Sequence, residues 1–310
     1  MPTKTKFGWG FQLALLCLLV LIPSLSWAEN SRISVLLSDD SAPYQRFATY
    51  LKKNLQKAGQ SIEIQYLNYP GFQLGSADLV IAVGMNALES TIANDTPVLG
   101  VMIPRKSYEV LRTQRSKKLS AVYLDQPYDR QLDLIQATLP RLKNLGVLHS
   151  PDAGNAISDL RHDTLERSIS LNVQPVKSLD SLYQALETVL DKTDALLVIP
   201  DSEIYNSRNI RNILLTSYRH KVPLIGISQG YVNAGALCAI FSTPEQLAEQ
   251  TAMLVAFFNK TRRLADPQYP TLFTIDFNQQ VARSLEILPM SPEVIRERMS
   301  RIEQMRKGAK

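Results

Sequence analysis

Short apolar runs alternate with amphipathic segments along nearly the whole chain, and the alternation restarts once. That pattern limits the possible folds more than any other feature of the sequence. Ile33 to Leu37 reads as a strand. Tyr44, Phe47, Leu51, Leu55 and Ala58 follow at helical spacing, and Gly59 stops that helix. Ile62 to Leu67 alternates like a strand, and Leu79 to Val83 and Val98 to Met102 are continuous apolar runs of the buried-strand kind. The second series has strands at Leu145 to Leu148, Val173 to Val176, Ala195 to Ile199 and Val222 to Ile227. Between them, helices are marked first by Ile157, Leu160, Leu165 and Ile169, then by Leu182, Leu186 and Val189, then by Ile210, Ile213 and Leu214. Strands alternating with helices require parallel sheets covered on both faces. Two series of similar size predict an α/β protein of two Rossmann-like lobes with a cleft between them.

Ligands of open α/β sheets bind beyond the carboxyl ends of the strands. The segments just after the strands are therefore the expected cleft lining. They are Ser38-Asp39-Asp40, Gly84-Met85-Asn86, His149-Ser150-Pro151, Asp201-Ser202-Glu203 and Ser228-Gln229-Gly230. Loops are polar whatever they do, but five such ends directed at one cleft point to a small-molecule site. Cleft substitutions such as Asp201→Ala and Gln229→Ala are expected to weaken binding with little effect on the stability of the empty protein, as at exposed strand ends.

The first 28 residues read as a secretory signal peptide: Lys4 and Lys6, the apolar run Phe11 to Ile22, Pro23, then Ser26-Trp27-Ala28 with cleavage expected after Ala28. The run is short for a retained membrane anchor. Leu16 before Cys17 is too bulky for a lipidation site. The expected location is the periplasm. With Lys4 and Lys6 removed, the 34 basic residues fall to 32 against 29 acidic ones, too small an excess to suggest nucleic acid. Cys238 would be the remaining thiol, in the apolar run Ala236 to Phe241, where it packs as a small hydrophobe. Without a disulfide, the core must hold the fold.

Gly226-Ile227-Ser228-Gln229-Gly230 fits G-x-S-x-G, the pattern of a hydrolase nucleophile elbow. An elbow needs strand, sharp turn and helix, with Asp and His following. Gly235 is expected to interrupt the first helical turns, and His149, His162 and His220 all precede Ser228. Catalysis is not expected. Asp159, His162, Asp163 and Glu166 share a helix face, but one histidine is a poor zinc set and a solvated face is the simpler reading. There is no Gly-rich phosphate loop, and no cofactor is expected. The basic cluster Arg112, Arg115, Lys117 and Lys118 reads as an exposed loop, and the charge-alternating C-terminal run as a solvated helix or fraying tail.

The ordered motifs resemble one family across nearly the whole of residues 29–310. They include Ile81-Ala82-Val83-Gly84-Met85-Asn86-Ala87, Leu139-Pro140-Arg141-Leu142-Lys143-Asn144-Leu145-Gly146, Asp194-Ala195-Leu196-Leu197-Val198-Ile199-Pro200-Asp201-Ser202, Val232-Asn233-Ala234-Gly235-Ala236-Leu237 and Asp276-Phe277-Asn278-Gln279-Gln280. These are similar to ABC transporter substrate-binding proteins of the type I periplasmic-binding fold, in the branch with receptors for tryptophan and related amino acids. The resemblance implies a three-crossover hinge. One lobe would hold residues 29–125 plus 230–266, the other 126–229 plus 267–310. It also implies that Ser228 and Gln229 stand near the ligand at a return crossing. An ammonium group would want Asp39, Asp125 or Asp201, and a carboxylate would want hydroxyls or backbone N–H groups. The implied ligand set is Asp39, Met85, Asn86, Asp125, Ser150, Asp201, Ser202, Ser228 and Gln229. The chain departs from the family pattern where Met85-Asn86-Ala87 replaces Thr-Pro-Ala, around Pro104-Arg105, at Tyr123-Leu124-Asp125 and at Ser202. The implied function is delivery of an amino-acid-like ligand to an ABC permease by a monomeric receptor. The alternative is a sensor subunit of the same fold docking to a membrane signalling protein.

Overall fold

The computed structural model describes residues 31–68, 75–93, 95–114 and 118–308. The expected signal peptide, Cys17, and Arg115 and Lys117 of the basic cluster lie outside the described residues. Among these, no helix is long and apolar enough to cross a membrane.

The first series builds a five-stranded parallel sheet in the order β2-β1-β3-β4-β5, from β1 (Ile33–Leu37), β2 (Ile62–Tyr66), β3 (Leu79–Val83), β4 (Val98–Ile103) and β5 (Leu119–Tyr123). β1 and β3 are buried along their whole length. Their side chains alternate between two layers. Val35, Leu37, Ile81 and Val83 face α1 (Ala42–Lys57), while Leu36, Val80 and Ala82 face α2 (Met85–Ser90) and α3 (Arg105–Arg112). A strand covered on both faces has no polar side to show, so it reads as a continuous apolar run. Met102 takes a positive φ of 59° where the β4–β5 register shifts. That bulge turns the chain toward Pro104 and Arg105.

The second series builds a sheet in the order β11-β10-β9-β8-β6-β7. Its strands are β6 (Asn144–His149), β7 (Ser170–Pro175), β8 (Ala195–Leu197), β9 (Leu224–Gly226), β10 (Cys238–Phe241) and β11 (Thr274–Phe277), and only β11 runs antiparallel to its neighbour. The helices of this lobe are α4 (Tyr128–Thr138), α5 (Gly154–Leu165), α6 (Leu182–Leu190), α7 (Ile210–Arg219), α8 (Gln229–Ala234), α10 (Gln279–Ser284) and α11 (Pro292–Gly308). Cys238 is fully buried among them, and burial pushes its thiol up to about 12, so it behaves as a hydrophobe.

Helix α9 (Pro244–Thr261) packs against α1 and returns the chain to the first lobe. This corrects the expected boundary. The expected first lobe includes residues 230–241, but β10 pairs with β9 and β11 in the second sheet. The second crossing therefore falls after Phe241. The third falls near Pro270, because Gln268 still bonds Ala121 and Tyr123 of β5 through its backbone. The three crossings are tied by side chains. Gln126 Nε2 donates to Ser242 Oγ at 2.9 Å, Ser242 Oγ donates to Leu272 O at 2.6 Å, and Arg130 Nη1 donates to Pro270 O at 2.9 Å.

Candidate functional site: an interlobe cleft

A cavity of about 480 Å³ opens between the lobes. The first lobe contributes Met85 and Glu89 of α2, then Pro104, Lys106, Ser107, Val110 and Leu111 at and after the start of α3. The second lobe contributes Ser150 after β6, residues Ile199 to Glu203 after β8, Tyr205, and Ile227 and Tyr231 around the β9–α8 turn. The lining is thus mixed, with apolar side chains beside hydroxyls, one ammonium and several carboxylates. Both lobes supply charged groups: Glu89 and Lys106 from one, Asp201 and Glu203 from the other. A ligand touching both would favour their approach.

Four of the residues expected at the ligand stand in this lining: Met85, Ser150, Asp201 and Ser202. The other five stand outside it. Asp39 turns its carboxylate onto the Ser41 N–H at 2.8 Å, at the start of α1, and the Ser41 hydroxyl together with that N–H holds its carboxyl below the usual range. Asn86 is exposed on the first turn of α2. Asp125 accepts from the Arg105 N–H. Ser228 and Gln229 open α8, between the lining residues Ile227 and Tyr231. Asp201 differs from its expected environment. It is 9% exposed, and its carboxylate accepts from the Ser150 N–H at 2.7 Å and the Glu203 N–H at 3.2 Å. It pins two cleft loops together, so binding and stability are coupled there rather than separable.

Lys106, Ser107, Val110, Glu89 and Tyr231 line the cavity from within helices, so a rule that looks to strand ends does not find them. Val110 is 59% exposed while Tyr108 and Leu111 of the same helix are buried, and only the structure separates the outward apolar residue from the two inward ones.

The G-I-S-Q-G segment forms strand, turn and a short helix, and Gly235, expected to interrupt the first helical turns, stops that helix early. α8 runs for six residues and Gly235 ends it at φ 121°. Ser228 sits in extended backbone, φ −157°, not in a strained elbow. Two of the three imidazoles are hydrogen-bonded by other groups, and His162 stands exposed. His220 Nε2 meets Glu187 Oε2 at 2.8 Å, His162 Nε2 lies 3.9 Å from Glu166, and His149 Nδ1 meets the Ser150 carbonyl at 2.7 Å. Gly226 has a packing reason: a Cβ there would lie 2.4 Å from Tyr231 Cβ, so glycine lets α8 fold back over β9 and bring Tyr231 to the cleft. No group of three His, Cys, Asp or Glu among the described residues is placed to hold a metal. Asp159 pairs with Arg105.

Burial pushes the Asp125 carboxyl up to about 6, against the Arg105 N–H and guanidinium, which pull it down. The native state therefore holds this proton more tightly than the unfolded chain, where Asp titrates near about 3.9. The stability it contributes is present below about pH 4 and is lost as pH rises through about 6. Asp125→Asn keeps an acceptor oxygen for the Arg105 N–H and cannot ionise. Its stability relative to the parent, from urea unfolding between pH 4 and 7, is expected to rise across that window by at most about 3 kcal/mol. A flat difference would show that Asp125 does not titrate there.

The two lobes, their parallel sheets and the cleft between them define the type I periplasmic-binding fold, and comparison with known proteins places the chain within it. Residues 72–287 match the model of the family described as "ABC transporter substrate binding protein". The chain belongs to that family. A curated relative, the tyrosine-binding protein of Clostridioides difficile (strain R20291), is 22% identical over 173 residues, 54% of this chain and 50% of its own. The chain therefore spans about half the length of that relative. A ligand-free, open substrate-binding protein with adhesive properties from Clostridium difficile superposes with a TM-score of 0.67 at 15% identity, covering 84% of this chain and 96% of its own. An ABC domain in complex with L-Trp from Streptococcus pneumonia gives 0.60 at 18% identity, covering 86% and 98%.

Proposed function

We propose that the protein is a periplasmic receptor that captures a small zwitterion of the amino-acid class between its lobes and presents it to an ABC importer. The lining of the cleft carries this reading: apolar side chains together with a lysine, hydroxyls and carboxylates drawn from both lobes. Lys106, with the Ser107 hydroxyl beside it, suits a ligand carboxylate. Glu203 or Glu89 suits an ammonium. Val110, Ile227 and the rings of Tyr205 and Tyr231 suit an apolar or aromatic side chain. The relative that binds tyrosine and the neighbour solved with L-Trp support that ligand class. Export by the leader peptide ending at Ala28 would bring the receptor to the periplasm.

The test is a thermal-shift screen of refolded, ligand-stripped protein against amino acids, nucleosides, sugars and small peptides. A ligand at 100 times its dissociation constant stabilises by about 2.7 kcal/mol, a rise of several degrees at roughly 2–4 °C per kcal/mol. Lys106→Ala is expected to weaken a hit at least about tenfold while leaving the empty protein's melting point unchanged, since the change is at the surface. Hits confined to sugars or nucleosides would overturn the ligand class. Silence across the library from well-folded protein would overturn the receptor reading and favour a sensor subunit that docks to a protein.

A further inference from the structure

Arg105 begins α3 in the first lobe, yet its guanidinium leaves that lobe. Nη1 donates to Asp159 Oδ2, on α5 of the second lobe, at 2.9 Å, and to the Tyr269 hydroxyl at 2.9 Å. The backbone of Arg105 is fixed from the first crossing, where Asp125 accepts its N–H. Its guanidinium carbon lies 5.9 Å from the centroid of the Tyr269 ring, and that ring stands edge-on to Tyr123 at 5.1 Å. Tyr108 extends the stack, 5.6 Å from Tyr123. The arginine is thus preorganised by residues of its own lobe and the hinge, while its tip reaches a single carboxylate across the cleft. Other ion pairs between described residues, such as Arg46–Glu245, Arg167–Asp133 and Arg306–Asp129, stay within one lobe.

We propose that Arg105 and Asp159 form an electrostatic latch that holds the two lobes together in the ligand-free protein. The pair lies apart from the cavity assigned to the ligand. It faces a second interlobe space of about 490 Å³, whose wall includes Tyr128, His162 and Asp163. Its effect on binding would therefore pass through closure and not through ligand contact. The side chains of the pair are 40% and 47% exposed, so water and salt compete for both charges, and such pairs are individually weak. Weakness suits a latch, because a stronger pair would keep the lobes shut against ligand entry and release. The expected bias is a two- to fivefold change in the ratio of closed to open molecules. Apparent affinity scales with the closed fraction, so losing the latch would weaken ligand binding by no more than the same factor.

The test needs no ligand, so its outcome is separate from that of the receptor reading. Dyes are placed on Lys53→Cys in the first lobe and Lys192→Cys in the second, in a Cys17→Ser background, the native Cys238 being fully buried. Single-molecule energy transfer then reports the closed and open populations of the full-length, ligand-free protein. Arg105→Ala and Asp159→Asn are each expected to lower the closed-to-open ratio two- to fivefold, with melting points near the parent's. The double variant Arg105→Asp/Asp159→Arg is expected to recover most of it. Salt at 1 M is expected to open the parent and leave Arg105→Ala unmoved. Populations unchanged by both single variants, or changed by Arg105→Ala alone, would overturn the latch.

Discussion

Gly84→Val is expected to lower the stability of the protein by about 4 kcal/mol and its melting temperature by roughly 10 °C. Gly84 joins β3 to α2 with φ 84° and ψ 166°, a region that is essentially reserved for glycine. A β-branched residue there is strained before any contact is considered. The contacts are also closed. A Cβ would lie 2.5 Å from the Tyr44 hydroxyl and 2.6 Å from Ser38 Oγ. Ser38 cannot yield freely, because its buried hydroxyl donates to Val83 O and accepts from the Ala87 N–H, both at 2.9 Å. Displacing it would strip two buried hydrogen bonds from the junction that carries Met85 to the cleft. Chemical denaturation of the variant checks the magnitude. A loss below about 1 kcal/mol, no more than an ordinary surface change, would show that Tyr44 swings away and the junction is not built as described.

Arg167→Met is expected to cost about 3–4 kcal/mol. Arg167 is 3% exposed, and its Nη2 donates to Asp129 Oδ1 at 2.8 Å and to Asp133 Oδ1 at 3.0 Å, while Asp133 is itself only 7% exposed. Burial raises the Asp133 carboxyl above its ordinary range, against the pull of Arg167 and Arg306. Removing Arg167 would leave this carboxylate with Arg306 alone, at 3.3 Å. The network also fastens α11 to α4, since Arg306 pairs with Asp129 at 2.6 Å. A double variant, Arg167→Met/Asp133→Leu, removes both members of the buried pair and leaves Arg306 with Asp129. It is expected to regain at least half of the loss, because an uncompensated buried charge costs more than the missing bond. Additive losses in urea titrations of the two single variants and the double would contradict that assignment.

Much of the architecture was legible in the sequence because its cause is local. Ile33–Leu37 and Leu79–Val83 are apolar at every position since each strand is covered on both faces, and a run of five such residues needs no knowledge of its neighbours. The helix of Phe47, Leu51 and Leu55 was legible for the same reason, as was its stop at Gly59, whose φ is 71°. One further local signal went unread. Thr243-Pro244-Glu245-Gln246 is a capping box, with the Gln246 N–H on Thr243 Oγ1 and Gln246 Oε1 on the Thr243 N–H. It marks the start of α9 and hence the crossing back to the first lobe.

The parallel sheets and their covering helices follow from local sequence, because periodicity and apolar runs act over a few residues. The place of β10 in the second sheet does not, since its apolar run could extend either sheet and only pairing with β9 and the antiparallel β11 selects. Tertiary structure also decides which polar groups look into the cleft. Asp39, Asp125 and Asp201 are all carboxylates just after strands, yet Asp39 turns to the Ser41 N–H and Asp125 to the Arg105 N–H, while Asp201 reaches the cleft with its oxygens already engaged by Ser150 and Glu203. A carboxylate takes the backbone donors that the fold leaves within reach, and those donors come from residues up to 51 positions away.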